Sequence, residues 1–347
     1  MIEYSRGRSE GHFQNWCLVG RVAIRTRVIA RMFCASTACT ADDASMILCI
    51  PFLASDPDQF DPRWIENGWG VEANLFDRDA IMDTDVWQGV RATVRRVARD
   101  ERPPAFTFHF PVNDCDYLAD PVVERRLFEA IDLVADNGLD GLVLHSNRIR
   151  SVAQWRQLDV EKERQQYVEY VHALADRVGD ASFWIGLENM PITGNDALEL
   201  DPLLVFPEDF DGLSVGNIGI TWDFCHYSYS VYVAELLAAG ELVEDADCYP
   251  NVRSSGYLDF ARLGPMTVHH HFSSFEGVAT RAGGVCREGA LPTDGVVPES
   301  VNEQAFALIA KSERARTVTL EIREHDYHNR QAVYEAARWC EQRLASQ

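Results

Sequence analysis

The sequence has no apolar run approaching the ~18 residues that a bilayer-spanning helix needs, so no membrane span is expected. It is short of positive charge: 32 Lys and Arg stand against 54 Asp and Glu, a formal net charge of −22. Non-specific nucleic-acid affinity comes from neutralising phosphates with Lys and Arg. No nucleic-acid partner is therefore expected, and docking on anionic membranes is disfavoured for the same reason. The nine cysteines contain no CxxC pair; Cys34 and Cys39 are close and the rest are scattered. An odd count without spacing reads as free or buried thiols in a reducing compartment, so a cytoplasmic location is expected. The first apolar run is followed by LASDPDQF, which holds no Gly-rich phosphate loop, and this argues against a doubly wound nucleotide-binding sheet.

The composition that is present, 46% hydrophobic and 25% charged, is that of a globular chain with ample core material. Residues 1–45 differ from the rest. Arg6, Arg8, Arg21, Arg25, Arg27 and Arg31 face only Glu3, Glu10, Asp42 and Asp43, and no periodicity is visible. This segment reads as a poorly ordered N-terminal extension, with a transit-like peptide as the alternative, and 46–347 reads as the catalytic domain.

From Met46 onward eight apolar runs recur, all but the fifth followed by an amphipathic stretch. The runs are 46–53, 70–76, 105–111, 141–146, 182–189, 217–226, 266–272 and 317–323. The helical stretches between and after them are 62–67, 86–100, 122–137, 161–178, 231–239, 301–314 and 330–345. Strands alternating with helices predict parallel β/α units, and eight of them predict an α/β fold closed as a (β/α)₈ TIM barrel in one domain. The long Gly/Pro-bearing segments around 195–216 and 275–300 follow the fifth and seventh runs and are expected on the catalytic face.

His109, His145, Glu188, Asp223, His271 and Glu321 interrupt the apolar runs near their C-terminal ends, each in a different unit. Such side chains are costly to bury unless paired or bound to a metal, and strand C-termini converge in a barrel. Any one of them alone reads as a satisfied core or loop residue. All six together predict metal ligands.

These residues carry a resemblance. The ENM that follows FWIGL, the DxxH of WDFCH, the triple His of the seventh strand, the LE of the eighth and the NGWGVEAN turn are similar to the xylose isomerase-like TIM barrels. That superfamily includes ketose 3-epimerases, hydroxypyruvate isomerases, inosose dehydratases and the endonuclease IV group. The resemblance covers about residues 46–345. It implies Glu188, Asp223, His271 and Glu321 as shared metal ligands, with Glu188 and Glu321 also moving the proton. It places His226 against substrate or a further metal. The family's His-x-His pattern selects His271 as ligand, with His269 one step deeper on the same side and His270 on the opposite side. His109 and His145 resemble the endonuclease IV pair that holds a second metal, with substrate contact or packing as the alternative. That group's third-metal Asp-x-His is missing, since CREGALPTDG with Ala290 stands there. Arg287 falls where relatives bind substrate, Trp184 and Trp222 are candidates for an apolar wall over a sugar, and Glu72 is a candidate network holder. His325 and His328 read as solvated.

Three carboxylates and one His make an oxygen-rich site suited to Mn²⁺, Mg²⁺ or Co²⁺; added imidazoles favour Zn²⁺. One ion is expected, with a second if both extra His take part. Such an ion chelates adjacent hydroxyl and carbonyl oxygens and stabilises an enediolate, while positioned carboxylates move the proton. The expected activity is isomerisation or epimerisation of a sugar or polyol. A sugar or inosose dehydratase, an endonuclease IV-like phosphodiesterase and a non-catalytic metal-stabilised partner protein remain alternatives. A homo-oligomer is compatible with all of them.

Overall fold

The computed structural model describes residues 46–192, 199–242, 245–246, 249 and 252–346; the extension expected over 1–45 lies outside the described residues. Eight parallel strands close a barrel in the order β1-β8-β7-β6-β5-β4-β3-β2. They are β1 (Ile47–Leu53), β2 (Gly70–Asn74), β3 (Phe106–His109), β4 (Gly141–Leu144), β5 (Trp184–Glu188), β6 (Ile218–Asp223), β7 (Thr267–Phe272) and β8 (Thr317–Leu320). Both faces of these strands are covered, so their sequences are apolar almost throughout. The polar exceptions therefore stand out in the sequence.

The long helices begin and end where local chemistry dictates. In α1 (Thr84–Arg96) the Asp83 carboxylate accepts from the N–H groups of Asp85 and Val86. Asp120 caps α2 (Pro121–Asn137), with Pro121 at the first helical position and Gly138 at φ 64° ending it. Asp159 caps α3 (Val160–Val178). After β6 the helix α4 (Phe224–Ala239) starts seven residues earlier than the periodicity predicts, because Asp223 itself is its N-cap. The chain closes with α5 (Glu299–Ala310) and α6 (Ala332–Leu344).

Two short antiparallel pairs decorate the C-terminal end of the barrel. Arg150–Ser151 pairs with Glu199–Leu200, tying the loops after β4 and β5 together. Ser274–Glu276 pairs with Arg287–Ala290, forming a hairpin in the loop after β7. Both of the long segments expected on the catalytic face thus carry local structure there. No helix among the described residues is long and apolar enough to cross a membrane.

Candidate metal centre

Strand register brings the candidate ligands together. Asp223 on β6 lies beside His271 on β7, and His271 lies beside Thr319, two residues before Glu321 in the chain. Glu188 ends β5 next to Thr221. Glu188, Asp223, His271 and Glu321 each offer one ligand atom, and these atoms all lie within 4.8 Å of one another. The same holds for His109, His145 and Glu188. All six convergent residues read from the sequence meet in one place.

The contacts explain what such a centre requires. His271 Nδ1 sits 3.1 Å from Glu188 Oε1, 3.4 Å from Glu321 Oε2 and 3.8 Å from Asp223 Oδ2. Its other nitrogen, Nε2, lies 3.2 Å from Glu72 Oε1. His109 Nδ1 faces the Phe110 carbonyl at 2.9 Å and its Nε2 faces Glu188 Oε2 at 3.1 Å. His145 Nε2 reaches the same Glu188 oxygen at 3.2 Å. His226 Nδ1 meets the Asn189 carbonyl at 2.8 Å, and its Nε2 lies 3.5 Å from Glu288 Oε2. His109, His226 and His271 thus face acceptors with both ring nitrogens, an arrangement that calls for a second proton or for a cation in its place.

The electrostatics agree. Burial alone opposes charge on His271, but Glu188, Glu321 and Glu72 hold its pKa well above the usual imidazole value. Against the same burial penalty, Asp223 and Glu288 raise His226 far up and Glu188 raises His109. His145 is pushed down by burial, which Glu188 does not fully offset. Asp223 rises to about 8, through burial and the neighbouring charges of Glu188 and Glu321, in spite of His226 and His271. Glu188 and Glu321 fall below their ordinary range: burial raises them, but His145 and His271 lower Glu188 and His271 lowers Glu321 by more. Asp223 uses Oδ1 to accept from the His226 N–H at 2.7 Å, while its buried Oδ2 has no hydrogen-bond partner. An unpartnered carboxylate oxygen aimed among imidazoles and carboxylates fits a divalent cation.

Beneath this layer Glu72, wholly buried on β2, joins the barrel interior. It accepts from Thr107 Oγ1 at 2.8 Å and Thr319 Oγ1 at 3.2 Å, and approaches both His269 and His271 at 3.2 Å. The network role read from the sequence is where the structure puts this residue. Asn189 locks β5 to β6, donating to the Asp223 carbonyl at 2.9 Å and accepting from the Asp223 N–H at 2.8 Å.

Two adjoining cavities open on the centre. The larger, about 460 Å³, is lined by Asp223, His226, Glu288 and Glu321, by Phe52 and Phe76, and by the loop after β8. The smaller, about 130 Å³, reaches His109, His145 and Glu188. His226, Glu288 and Glu321 line both.

Four expected substrate contacts are corrected. Trp184 begins β5, two inward positions below Glu188 and so ~13 Å from it, and stacks on His269. Trp222, one residue from Asp223, faces outward and packs on Phe260, Phe224 and His270. His269 is wholly buried below the centre, with Thr317 Oγ1 at 2.6 Å and Thr319 Oγ1 at 3.0 Å. Arg287 is exposed on the hairpin and lines neither cavity. His270 faces away from the centre, as strand alternation requires. Glu288 escaped the sequence reading because a Glu in a polar, solvent-facing hairpin gives no signal.

Fold and site define a closed (β/α)₈ barrel with a carboxylate and imidazole centre. Among solved structures, the chain is similar to the IolI protein with a bound zinc atom (12% identity, TM-score 0.55, 87% of this chain and 99% of that one). It is similar to a Thermus thermophilus protein soaked with zinc chloride (18%, TM-score 0.52, 87% and 99%). It is likewise similar to a xylose isomerase-like barrel protein from Mycobacterium smegmatis in complex with magnesium (14%, TM-score 0.52, 87% and 97%). No family model matches the sequence, and no curated protein matches it.

Proposed function

We propose that the chain is a divalent-metal-dependent isomerase or epimerase of a sugar or polyol, acting by proton transfer beside a carbonyl. The observation that carries this reading is the convergence of two ionised carboxylates, Glu188 and Glu321, on His271 Nδ1 from different strands. A divalent ion in the set Glu188, Asp223, His271 and Glu321 supplies Lewis-acid polarisation of substrate oxygens. The donor set suits Mn²⁺, Mg²⁺ or Co²⁺, and with His109 and His145 it suits Zn²⁺. Of the two, Glu321 is the more open and lines both cavities, with a side chain 25% exposed against 1% for Glu188. It is placed to take a proton from bound substrate, and Glu188 to return one from another direction. His226 and Glu288, at the junction of the two cavities, orient hydroxyl groups.

One observation favours a second reading. His109 and His145 both point Nε2 at a single oxygen of Glu188, so that these three residues would hold a second ion, the arrangement that two-metal phosphodiester cleavage uses. Incubation of the Mn²⁺-loaded protein with ketoses in D₂O, and separately with abasic-site DNA, distinguishes the two. Carbon-bound deuterium is expected, reduced at least ~10²-fold by Glu321→Gln or Glu188→Gln and unchanged by Glu161→Gln, whose side chain is 79% exposed. Strand cleavage without deuterium incorporation would overturn the isomerase.

A further inference from the structure

Arg330 lies in the loop after β8, is 6% exposed, and lines the larger cavity together with Asp223, His226 and Glu321. Its guanidinium is held by aromatic faces, 5.4 Å from the Trp64 ring centre and 5.0 Å from that of Tyr327. Nε donates to the Tyr327 carbonyl at 3.3 Å and Nη2 to Gln59 Oε1 at 3.4 Å, both long contacts to neutral acceptors. Nη1 is buried and has no partner.

No carboxylate among the described residues pairs with it. The acid that acts on it, Glu324, has its oxygens taken by the N–H groups of Gln331 at 3.1 Å, Ala332 at 3.1 Å and Val333 at 2.7 Å, at the start of α6. Other well-buried arginines are treated differently: Arg148 meets Glu163 and Asp116, and Arg164 meets Asp209 at 2.9 Å. In a chain with 54 acidic and 32 basic side chains, a buried arginine lacking an acidic partner is not explained by a shortage of acids. Burying an unpaired charge is costly unless something completes it. Burial draws the pKa of this guanidinium down, but an arginine in a folded protein stays charged.

The rest of the cavity narrows what can do so. Its other side is the acidic centre, which repels anions. The second arginine on the wall, Arg323, is 39% exposed and holds Glu276 at 2.7 Å. The loops after strands seven and eight are where barrels of this kind recurrently hold an anionic group of their substrates. A volume of about 460 Å³ accommodates a small ligand spanning both features.

We propose that Arg330 binds an anionic group, carboxylate or phosphate, carried by the substrate of the acidic centre. The substrate class is then an acidic or phosphorylated sugar derivative. This rests on the sugar-isomerase reading for the identity of the substrate, but not for the binding of the anion. A planar guanidinium is able to present a fork of donors to two oxygens, which a lysine does not reproduce.

The test compares D-glucose, D-glucuronate and D-glucose 6-phosphate as probes of the Mn²⁺-loaded full chain, by calorimetric binding and by deuterium exchange. At least one anionic probe is expected to bind about 10- to 100-fold more tightly than glucose, the size of a charged hydrogen-bonding contact. Which of the two prevails tells carboxylate from phosphate. Arg330→Met, which keeps the apolar stem between Trp64 and Tyr327, should abolish that preference, and Arg330→Lys should keep part of it. Equal affinity of wild type for all three probes overturns the proposal without reference to any variant. So does an anion preference that survives in folded Arg330→Met. Anion binding that depends on Arg330, with no deuterium incorporated from any probe, would leave this site standing and count against the isomerase.

Discussion

Glu72 shows how far a single buried carboxylate reaches. It lines neither cavity of the centre, yet it meets the far nitrogen of His271 and two threonine hydroxyls. A partner on the far nitrogen fixes the orientation of a ligating imidazole and raises its basicity, and loss of such partners typically costs ~10–100-fold in metal affinity. Glu72→Gln is therefore expected to weaken Mn²⁺ binding by about that factor while leaving the barrel folded. Metal titration followed by calorimetry reads it, and an unchanged affinity would reduce Glu72 to a packing residue. The residue scale is also where the sequence was most and least informative. Glu188, Asp223 and His271 were legible because a charge in an apolar strand has few uses. Trp184 and Trp222 were misplaced because proximity to a ligand was weighed without strand direction. One residue of separation turns Trp222 to the outer face, and four residues lower Trp184 through the barrel. Arg330 and Glu288 lie in loops, where polar residues are ordinary and pattern carries no information.

At the scale of elements, the barrel strands and the long helices followed from periodicity, with ends shifted by a few residues. The largest shift, at the start of α4, arose because Asp223 serves two tasks, capping the helix with one oxygen and facing the centre with the other. The two antiparallel pairs were not legible, since strands of two to four residues leave no periodic trace. Close approach between strands sets its own demands. A Cβ on Gly186 of β5 would meet Thr221 Oγ1 on β6 at 2.1 Å. Gly186→Ala should push apart the two strands that present Glu188 and Asp223, at a cost of ~1–3 kcal/mol typical of overpacking. Chemical denaturation measures the stability and metal titration the ligand geometry. A variant as stable as wild type would show that Thr221 rotates away freely.

Across the whole molecule the centre couples pH, metal and stability. Without metal, the folded state holds protons on His109, His226, His271 and Asp223 beyond their ordinary pKa values. Each of these shifts is upward, so each contributes stability that is present at low pH and lost as pH rises through the folded value, about 8 for Asp223. The downward shifts of Glu188 and Glu321 act at acidic pH, and those of His145, His269 and His270 oppose the trend only around the ordinary imidazole value, so the sign holds from about pH 7 to 9. A divalent ion held at this centre would displace these protons. Its affinity is therefore expected to rise from about pH 7 to 9, with proton release on binding, and the gap in Tm between loaded and metal-free protein should widen over the same range. Calorimetry in buffers of different ionisation enthalpy, with melting curves alongside, checks both; a pH-independent affinity would mean that the ligand set lies elsewhere.

The hairpin after β7 has a kinetic consequence. Gly289, at φ 84°, approaches the following loop so closely that a Cβ would stand 2.5 Å from the Arg323 nitrogen. The Arg323 N–H donates to its carbonyl at 2.8 Å, and the Arg323 side chain reaches back to Glu276 on the other hairpin strand. Two loops from separate strands are stitched into one body by a single residue. The wall that carries Glu288 and the loop that carries Arg330 are thus tied together, and any opening of the pair is expected on the μs–ms timescale of collective motion. Access to the cavity past Glu288 and contact with Arg330 would then keep the same clock.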